Sequence, residues 1–300
     1  MTRLQANLLL SLAAMIWGSS FVVQQIGTGS LGIITFTGAR FVLGAVIILP
    51  FAVKQLRRVE SNERRFEAKD WYGLLSTGCI LLIAASLQQY GILHTTVTNA
   101  GFLTALYVPL VPLLGLIFLR RKVHFIIWPG AICCFIGTYI LSGAHRVDLA
   151  VGDFWVIAST FFWACHVILV GILASRTGAP LVVAATQFFV CGLIGLIFGF
   201  IFESPVYAEL IGAVPGIVYV GVFSVAMAFT LQVIGQRFTP AADAAIILSS
   251  ETLFAAIGGM VFLGERLTIE QLSGGLLILV SILVVELLPM TRLGRPRPLH

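Results

Sequence analysis

Ten apolar segments, each long enough to cross a lipid bilayer as a helix, follow one another along this chain with short polar connections. We place them at residues 5–26, 31–53, 71–93, 97–119, 124–143, 153–174, 181–202, 212–234, 241–263 and 269–288. A membrane-crossing helix needs about 20 apolar residues, and in lipid the backbone polar groups must pair within the segment. The pattern therefore predicts an all-α membrane protein with ten transmembrane helices.

The composition excludes a water-soluble fold. Hydrophobic residues make up 59% of the chain and charged residues only 10%, whereas soluble domains carry about 25% charged residues. The longest hydrophilic stretch, Lys54–Asp70, is interpreted as a loop rather than as a separate domain. The five cysteines lie inside apolar segments without the spacing of metal ligands, so we expect no metal site and no cofactor.

Lysine and arginine are distributed unequally between alternate connections. With a cytoplasmic N-terminus, the cytoplasmic side would hold Arg3, Lys54, Arg57, Arg58, Arg64, Arg65, Lys69, Arg120, Arg121, Lys122, Arg176, Arg237, Arg292, Arg295 and Arg297. The opposite side would hold only Arg146 and Arg266. This positive-inside pattern predicts a multi-pass protein of the bacterial inner (plasma) membrane with both termini in the cytoplasm. The basic charge is thereby explained by topology, and nucleic acid is not expected as a partner.

The sequence contains an internal repeat. Residues 81–139 overlay on residues 225–283 without gaps, at an offset of 144. The identical pairs include Ala84/Ala228, Gln88/Gln232, Gly91/Gly235, Thr95/Thr239, Ala100/Ala244 and Gly130/Gly274. Each half, 1–143 and 144–300, holds five segments, and an odd number inverts the second half. The pattern predicts two inverted five-helix repeats, an arrangement typical of transporters with a substrate site between the halves.

Three motifs resemble those of a known superfamily. They are Leu87-Gln88-Gln89-Tyr90-Gly91, Asn99-Ala100-Gly101-Phe102-Leu103-Thr104, and Glu251-Thr252-Leu253-Phe254-Ala255-Ala256 followed by Leu263-Gly264-Glu265-Arg266. With the two five-helix halves, they resemble the drug/metabolite transporter superfamily. The closest similarity is to its ten-helix EamA-type permeases, which include bacterial amino-acid exporters. The resemblance covers nearly the whole chain and implies the fold well and the substrate poorly.

Two ionisable residues lie deep in predicted spans, where charge is expensive and often functional. Arg40 could bind a substrate carboxylate, but a structural role within the bundle is favoured because the family broadly carries an arginine there. Glu251 could bind a substrate amine, carry a proton, or be neutralised permanently by Arg40 or another base.

Uncharged polar and aromatic residues form stripes at helical spacing. Trp17 and Ser20 share a face of one helix, and Trp163 and His166 share a face of another. His166 could be a hydrogen-bonded structural residue or could titrate near neutral pH. A pocket needs apolar or aromatic walls with a few polar groups. The candidate substrate-binding residues are Trp17, Ser20, Gln88, Tyr107, Trp163, His166, Gln232 and Glu251, with Arg40 as a structural or substrate-binding charge.

Two further features concern packing and bending. Gly195 and Gly199 are spaced for close helix packing. Pro109 and Pro112 would weaken the backbone ladder of the fourth helix and favour bending there.

The sequence thus predicts a permease or exporter of small polar metabolites, most of all amino acids, that works by alternating access. A proton-coupled exporter of hydrophobic cations is the main alternative. A phosphate-ester antiporter would need more cavity arginines or lysines, and a membrane enzyme would need a clustered set of His, Asp or Glu residues that the sequence lacks. The expected partners are a small-molecule substrate and the lipid bilayer, and the protein is expected to be a monomer or a weak homodimer.

Overall fold

The computed structural model describes residues 1–61, 66–120, 125, 127–141, 150–264 and 266–287. Regular structure in these ranges is helical. The helices are α1 (Arg3–Gly27), α2 (Ile33–Ser61), α3 (Ala68–Leu93), α4 (Val97–Thr104), α5 (Tyr107–Leu119), α6 (Ile127–Leu141), α7 (Val151–Thr177), α8 (Pro180–Phe202), α9 (Tyr207–Tyr219), a π-helical segment (Val220–Phe229), α10 (Thr230–Gln236), α11 (Ala241–Leu248), α12 (Glu251–Phe262) and α13 (Ile269–Leu287).

Within the residues that the structure describes, eight stretches are long and apolar enough to cross a membrane. The apolar helices Ile127–Leu141 and Ile269–Val284 are shorter. An all-α membrane protein is therefore confirmed in the described ranges, while the count of ten spans stays a prediction. Several charges used for the orientation lie outside the described residues: Arg64, Arg65, Arg121, Lys122, Arg146, Arg292, Arg295 and Arg297.

Local sequence explains where helices begin and end. At the start of α1 the Thr2 hydroxyl accepts from the backbone N–H of Gln5 at 3.3 Å, while the Gln5 side chain accepts from the N–H of Thr2 at 2.9 Å. This capping box satisfies two donors that the first helical turn leaves free. Helix α7 ends at Thr177 and is followed by Gly178, whose φ of 66° lies in the left-handed region that glycine adopts without strain.

The interpretation of Lys54–Asp70 as a loop is wrong for most of its length. Helix α2 continues to Ser61 and α3 begins at Ala68. Leucine, lysine, arginine and glutamine are good helix formers, so the helix propagates beyond the apolar segment into polar sequence. Hydrophobicity marks the part of a helix that lies in lipid, not the end of the helix.

Two predicted spans, 97–119 and 241–263, are each divided into two helices at equivalent places of the repeat. The divisions fall at Ala105-Leu106 and at Ser249-Ser250, again 144 residues apart. Both are tightened turns, in which Leu106 N–H bonds to the Leu103 carbonyl and Ser250 N–H to the Ile247 carbonyl, each at 3.2 Å.

The causes of the two tightened turns differ. Pro109 has no N–H to offer the Ala105 carbonyl. In the second span the hydroxyls of Ser249 and Ser250 bond back to the carbonyls of Ile246 and Ile247 at 2.6 and 2.8 Å.

Helices of the first half pack in pairs against helices of the second half. Helix α2 lies against α8, α3 against α7, α6 against α13, and α1 against α12. Small residues allow the closest approaches, because a Cβ added at Gly195 would lie 3.0 Å from the Cα of Gly38. A continuous cluster of buried apolar side chains draws on both halves, so the space between the halves is part of one packed bundle.

Candidate substrate cavity

A cavity lies between the two halves, with about 580 Å³ of empty space that includes space open to solvent. Residues of α1–α5, α7, the π-helical segment and α10–α12 surround it. Its lining residues are Trp17, Phe21, Gln24, Arg40, Phe41, Ala85, Gln88, Thr104, Tyr107, Trp163, Val167, Ser224, Val225, Phe229, Gln232, Leu248 and Glu251.

The structure brings seven of the nine candidate residues to this cavity: Trp17, Arg40, Gln88, Tyr107, Trp163, Gln232 and Glu251. They come from both halves of the chain. Whether they bind a substrate stays a prediction.

Aromatic rings form one wall. Phe229, in the π-helical segment, contacts Trp17 edge-on at 4.6 Å between ring centres and stacks on Trp163 at 6.0 Å. The indole N–H of Trp17 donates to the Ser224 carbonyl at 3.3 Å, whereas the buried indole nitrogen of Trp163 has no partner among the described residues. π-Helical turns occur frequently at functional sites, and this one supplies Ser224, Val225 and Phe229 to the lining.

Arg40 brings a positive charge to the cavity. Its side chain is buried, donates to the side-chain carbonyl of Gln24, and lies 5.5 Å from the ring centres of Phe36 and Phe41. The guanidinium Nε has no hydrogen-bond partner among the described residues. In the part of the chain that the structure describes, no carboxylate forms an ion pair with Arg40, so Gln24 and the two rings hold it without neutralising it.

Glu251 brings a carboxyl group to the same cavity. It is the first residue of α12, just after the tightened turn at Ser249-Ser250, and the N-terminal end of a helix favours negative charge. Glu251 is 6% exposed. Its carboxyl group makes no ion pair or hydrogen bond with the described residues, and this removes the alternative of a permanent pair with Arg40.

Ser20 and His166 are not among the lining residues. The Ser20 hydroxyl bonds to the Ile16 carbonyl at 2.8 Å, and His166 Nε2 lies 2.8 Å from Gln187 Oε1. Both side chains are fully buried. The His166 ring contacts Trp163 and Phe229 at 5.7 and 6.0 Å between ring centres. This favours the structural alternative, in which His166 supports the aromatic wall from behind.

The sequence prediction omits several lining residues, among them Phe229. A signal for it exists in the repeat. Phe229 stands opposite Ala85 at the offset of 144, and each lies three residues before a cavity glutamine, Gln88 or Gln232. Within the described ranges, no three His, Cys, Asp or Glu side chains form a group suited to a metal ion.

This two-part sequence also matches a known family. The model of the EamA-like transporter family matches residues 4–143 and matches again at residues 150–287. The chain belongs to the EamA-like transporter family. The resemblance noted from the sequence is thereby confirmed, and this EamA-like transporter consists of two copies of the family's repeat.

Proteins similar to this EamA-like transporter carry transporter names. An "uncharacterized transporter" of Archaeoglobus fulgidus is 29% identical over 290 residues, which are 95% of this chain and 87% of the relative. The "uncharacterized inner membrane transporter YicL" of Salmonella typhimurium is 25% identical over 92% of this chain and 93% of its own. A solved crystal structure matches with a TM-score of 0.73 over 94% of this chain and 96% of that chain; at 19% identity it shows the fold alone.

Proposed function

We propose that the protein transports small zwitterionic metabolites, with amino acids as the substrate class, by alternating access. The observation that carries the proposal is the presence of Arg40 and Glu251 in one cavity without an ion pair between them. A zwitterion brings a carboxylate for the guanidinium and an ammonium group for the carboxylate. Buried charges need such partners, because an unpaired charge in a low-dielectric site is unfavourable.

The rest of the lining supports a small substrate with a largely apolar body. Trp17, Trp163 and Phe229 offer rings, while Gln88 and Gln232 offer amides. A few polar groups on an apolar wall fix the orientation of a bound molecule and provide specificity.

The membrane arrangement proposed with this function is ten spans in two inverted repeats. The two matches to the family, 4–143 and 150–287, each contain five predicted spans. The shorter helices α6 and α13 would complete the two sets. The surplus of lysine and arginine in alternate connections supports a bacterial inner membrane with both termini in the cytoplasm, and export from the cell is the proposed direction.

The second candidate is proton-coupled export of hydrophobic cations. The aromatic wall and the single carboxyl group of Glu251 favour it. Arg40 opposes it, because a cationic substrate would meet an unneutralised guanidinium in the same cavity.

Transport into proteoliposomes separates these functions. Purified protein should be tested with labelled amino acids, hydrophobic cations and nucleotides, against protein-free liposomes. Saturable uptake of amino acids alone is expected. Saturable uptake of cations without amino acids would replace the proposal by the second candidate.

A further inference from the structure

The two halves differ in length at one point of the repeat. Gly91 follows Gly78 by 13 residues in the first half, whereas Gly235 follows Gly221 by 14 residues in the second. Gly91 and Gly235 stand at the offset of 144, but Gly78 and Gly221 stand at an offset of 143. If the glycines are equivalent, the second half carries one additional residue between Gly221 and Gly235.

The packing of Gly78 and Gly221 supports their equivalence. A Cβ added at Gly78 would lie 3.1 Å from the carbonyl oxygen of Gln187 in α8, and one added at Gly221 would lie 3.1 Å from the carbonyl oxygen of Arg40 in α2. In both cases the residue three positions later in the contacted helix is the other close neighbour. Each glycine thus packs in the same way against the second helix of the opposite half.

The packing of Gly91 and Gly235 agrees as well. A Cβ added at Gly91 would lie 2.8 Å from the carbonyl oxygen of Gly152 in α7, and one added at Gly235 would lie 3.0 Å from the carbonyl oxygen of Ala6 in α1. Each contact is made with the first helix of the opposite half. The additional residue is therefore confined between two pairs of equivalent contacts.

The additional residue falls in the π-helical segment. A π-helical turn is closed by a hydrogen bond over five residues instead of four, so it holds one residue more than an α-helical turn. The corresponding stretch of α3 is α-helical. It buries Leu81 and Leu82, where the second half buries Ser224, Val225 and Ala226. Three buried residues thus replace two.

The wider turn holds one of two related tryptophans. Ile16-Trp17-Gly18 resembles Phe162-Trp163-Ala164, so Trp17 and Trp163 occupy corresponding places in the two halves. The indole N–H of Trp17 donates to the Ser224 carbonyl of the π-helical segment at 3.3 Å. Helix α7, which carries Trp163, packs against the α-helical α3, and the Trp163 indole nitrogen has no partner among the described residues.

The cavity is also more crowded beside the second half than beside the first. Phe229, the last residue of the π-helical segment, contacts Trp17 edge-on at 4.6 Å between ring centres. Ala85 stands at the corresponding place of α3 and lines the same cavity. A methyl group leaves more room beside α3 than a ring leaves beside the π-helical segment.

We propose that the additional residue of the π-helical segment determines which substrate side chains the transporter accepts. The wide turn fixes Trp17 through the Ser224 carbonyl and holds its ring against Phe229, which closes that side of the cavity. The substrate side chain then lies beside Ala85, and short apolar side chains are favoured over aromatic ones. The inference rests on the proposed transport of amino acids and adds its specificity.

Deletion of Ala226 tests the structural part of the inference without a substrate. It restores the 13-residue spacing and retains the cavity residues Ser224 and Val225. An isotope label on the indole nitrogens gives one N–H signal for each of the five tryptophans, and Trp17→Phe identifies the signal of Trp17. In the deletion variant this N–H should exchange with deuterated water about fivefold faster, the effect of losing one hydrogen bond.

Competition for uptake into proteoliposomes tests the specificity. In the deletion variant, aromatic amino acids should compete about fivefold better, relative to those with short apolar side chains, than they do in the unmodified protein. Faster exchange of the Trp17 indole with an unchanged order of competition would overturn the inference, and so would unchanged exchange.

A matched pair of substitutions decides the case in which the deletion variant does not fold. Trp17→Phe and Trp163→Phe remove the same ring atoms from the aromatic wall, but only the first removes a bond to the π-helical segment. Trp17→Phe should therefore relax the discrimination against aromatic amino acids about fivefold more than Trp163→Phe does. An equal change in the two variants would overturn the inference. Absence of amino-acid transport by the unmodified protein would overturn the proposed function instead.

Discussion

Arg40 and Glu251 line one cavity but form no ion pair with each other. Arg40 is held by Gln24 and two phenylalanine rings, and Glu251 stands at the start of α12 without a bonding partner among the described residues. An acidic and a basic side chain at membrane depth would ordinarily pair with each other. Their separation leaves both groups available to a substrate that carries both charges.

Replacement of the carboxyl group of Glu251 should affect substrates selectively. Glu251→Gln keeps the shape of the side chain and removes the charge, so the protein should reach the membrane in normal yield. Transport of amine-bearing substrates should fall at least tenfold, since a hydrogen bond to a charged group contributes about 1.5–3 kcal/mol. A well-folded variant with unchanged transport, with and without a pH gradient, would make Glu251 a packing residue.

The same variant distinguishes substrate binding from proton coupling. If Glu251 binds the substrate, both exchange and net transport fall together. Retained exchange with a lost response to a pH gradient would instead show that Glu251 carries the proton. Exchange and gradient-driven uptake in proteoliposomes measure the two outcomes.

Transport of amino acids should depend on the planar shape of the charged group of Arg40. Lysine retains the charge but lacks the planar guanidinium that can contact Gln24 and a carboxylate together. We expect Arg40→Lys to raise the KM for amino acids at least fivefold while uptake of a competing amine without a carboxylate is unchanged. Equal loss for both kinds of compound, or loss of folded protein, would assign Arg40 a structural role.

The ring of Phe229 should limit the size of the substrate. Phe229→Ala would enlarge the cavity between Trp17 and Trp163 and reduce stability by about 3–5 kcal/mol, the usual effect of deleting a buried ring. Competition by amino acids with large side chains should improve relative to competition by small ones. An unchanged order of competition among them would place the bound side chain elsewhere.

The proposed topology predicts that Lys69 and His300 lie on the same side of the membrane. Reporter fusions at Lys69 and at His300 should both indicate the cytoplasm, because nearly all positive charge falls on that side. A periplasmic signal at either position would contradict ten spans with both termini inside.

Much of this fold could be predicted because the solvent around it is lipid. Apolar length marks the spans, and the matches of Gln88 with Gln232 and of Thr95 with Thr239 reveal the repeat. The search for aromatic and ionisable residues within the predicted spans also identified Trp17, Trp163 and Glu251, which line the cavity. These predictions depend on local sequence, which the membrane constrains strongly.

The rest depended on packing that helical spacing does not determine. Positions three and four residues apart share a helix face, so Ala84 and Ala85 both lie on the face of Gln88, and of these two alanines Ala85 lines the cavity. Ser20 follows Trp17 by one turn, yet its hydroxyl bonds back to its own helix. The tightened turn before Glu251 arises from serine hydroxyls bonding to carbonyls, which apolar pattern alone does not indicate.

The most direct test of the zwitterion cavity is competition for uptake of one labelled amino acid into proteoliposomes. Three unlabelled compounds with the same side chain should be compared: the amino acid, its decarboxylated amine, and its deaminated acid. We expect the amino acid to compete at least tenfold better than either analogue, because only it engages both Arg40 and Glu251. Competition by the amine as strong as that by the amino acid would contradict the account and favour a cation exporter.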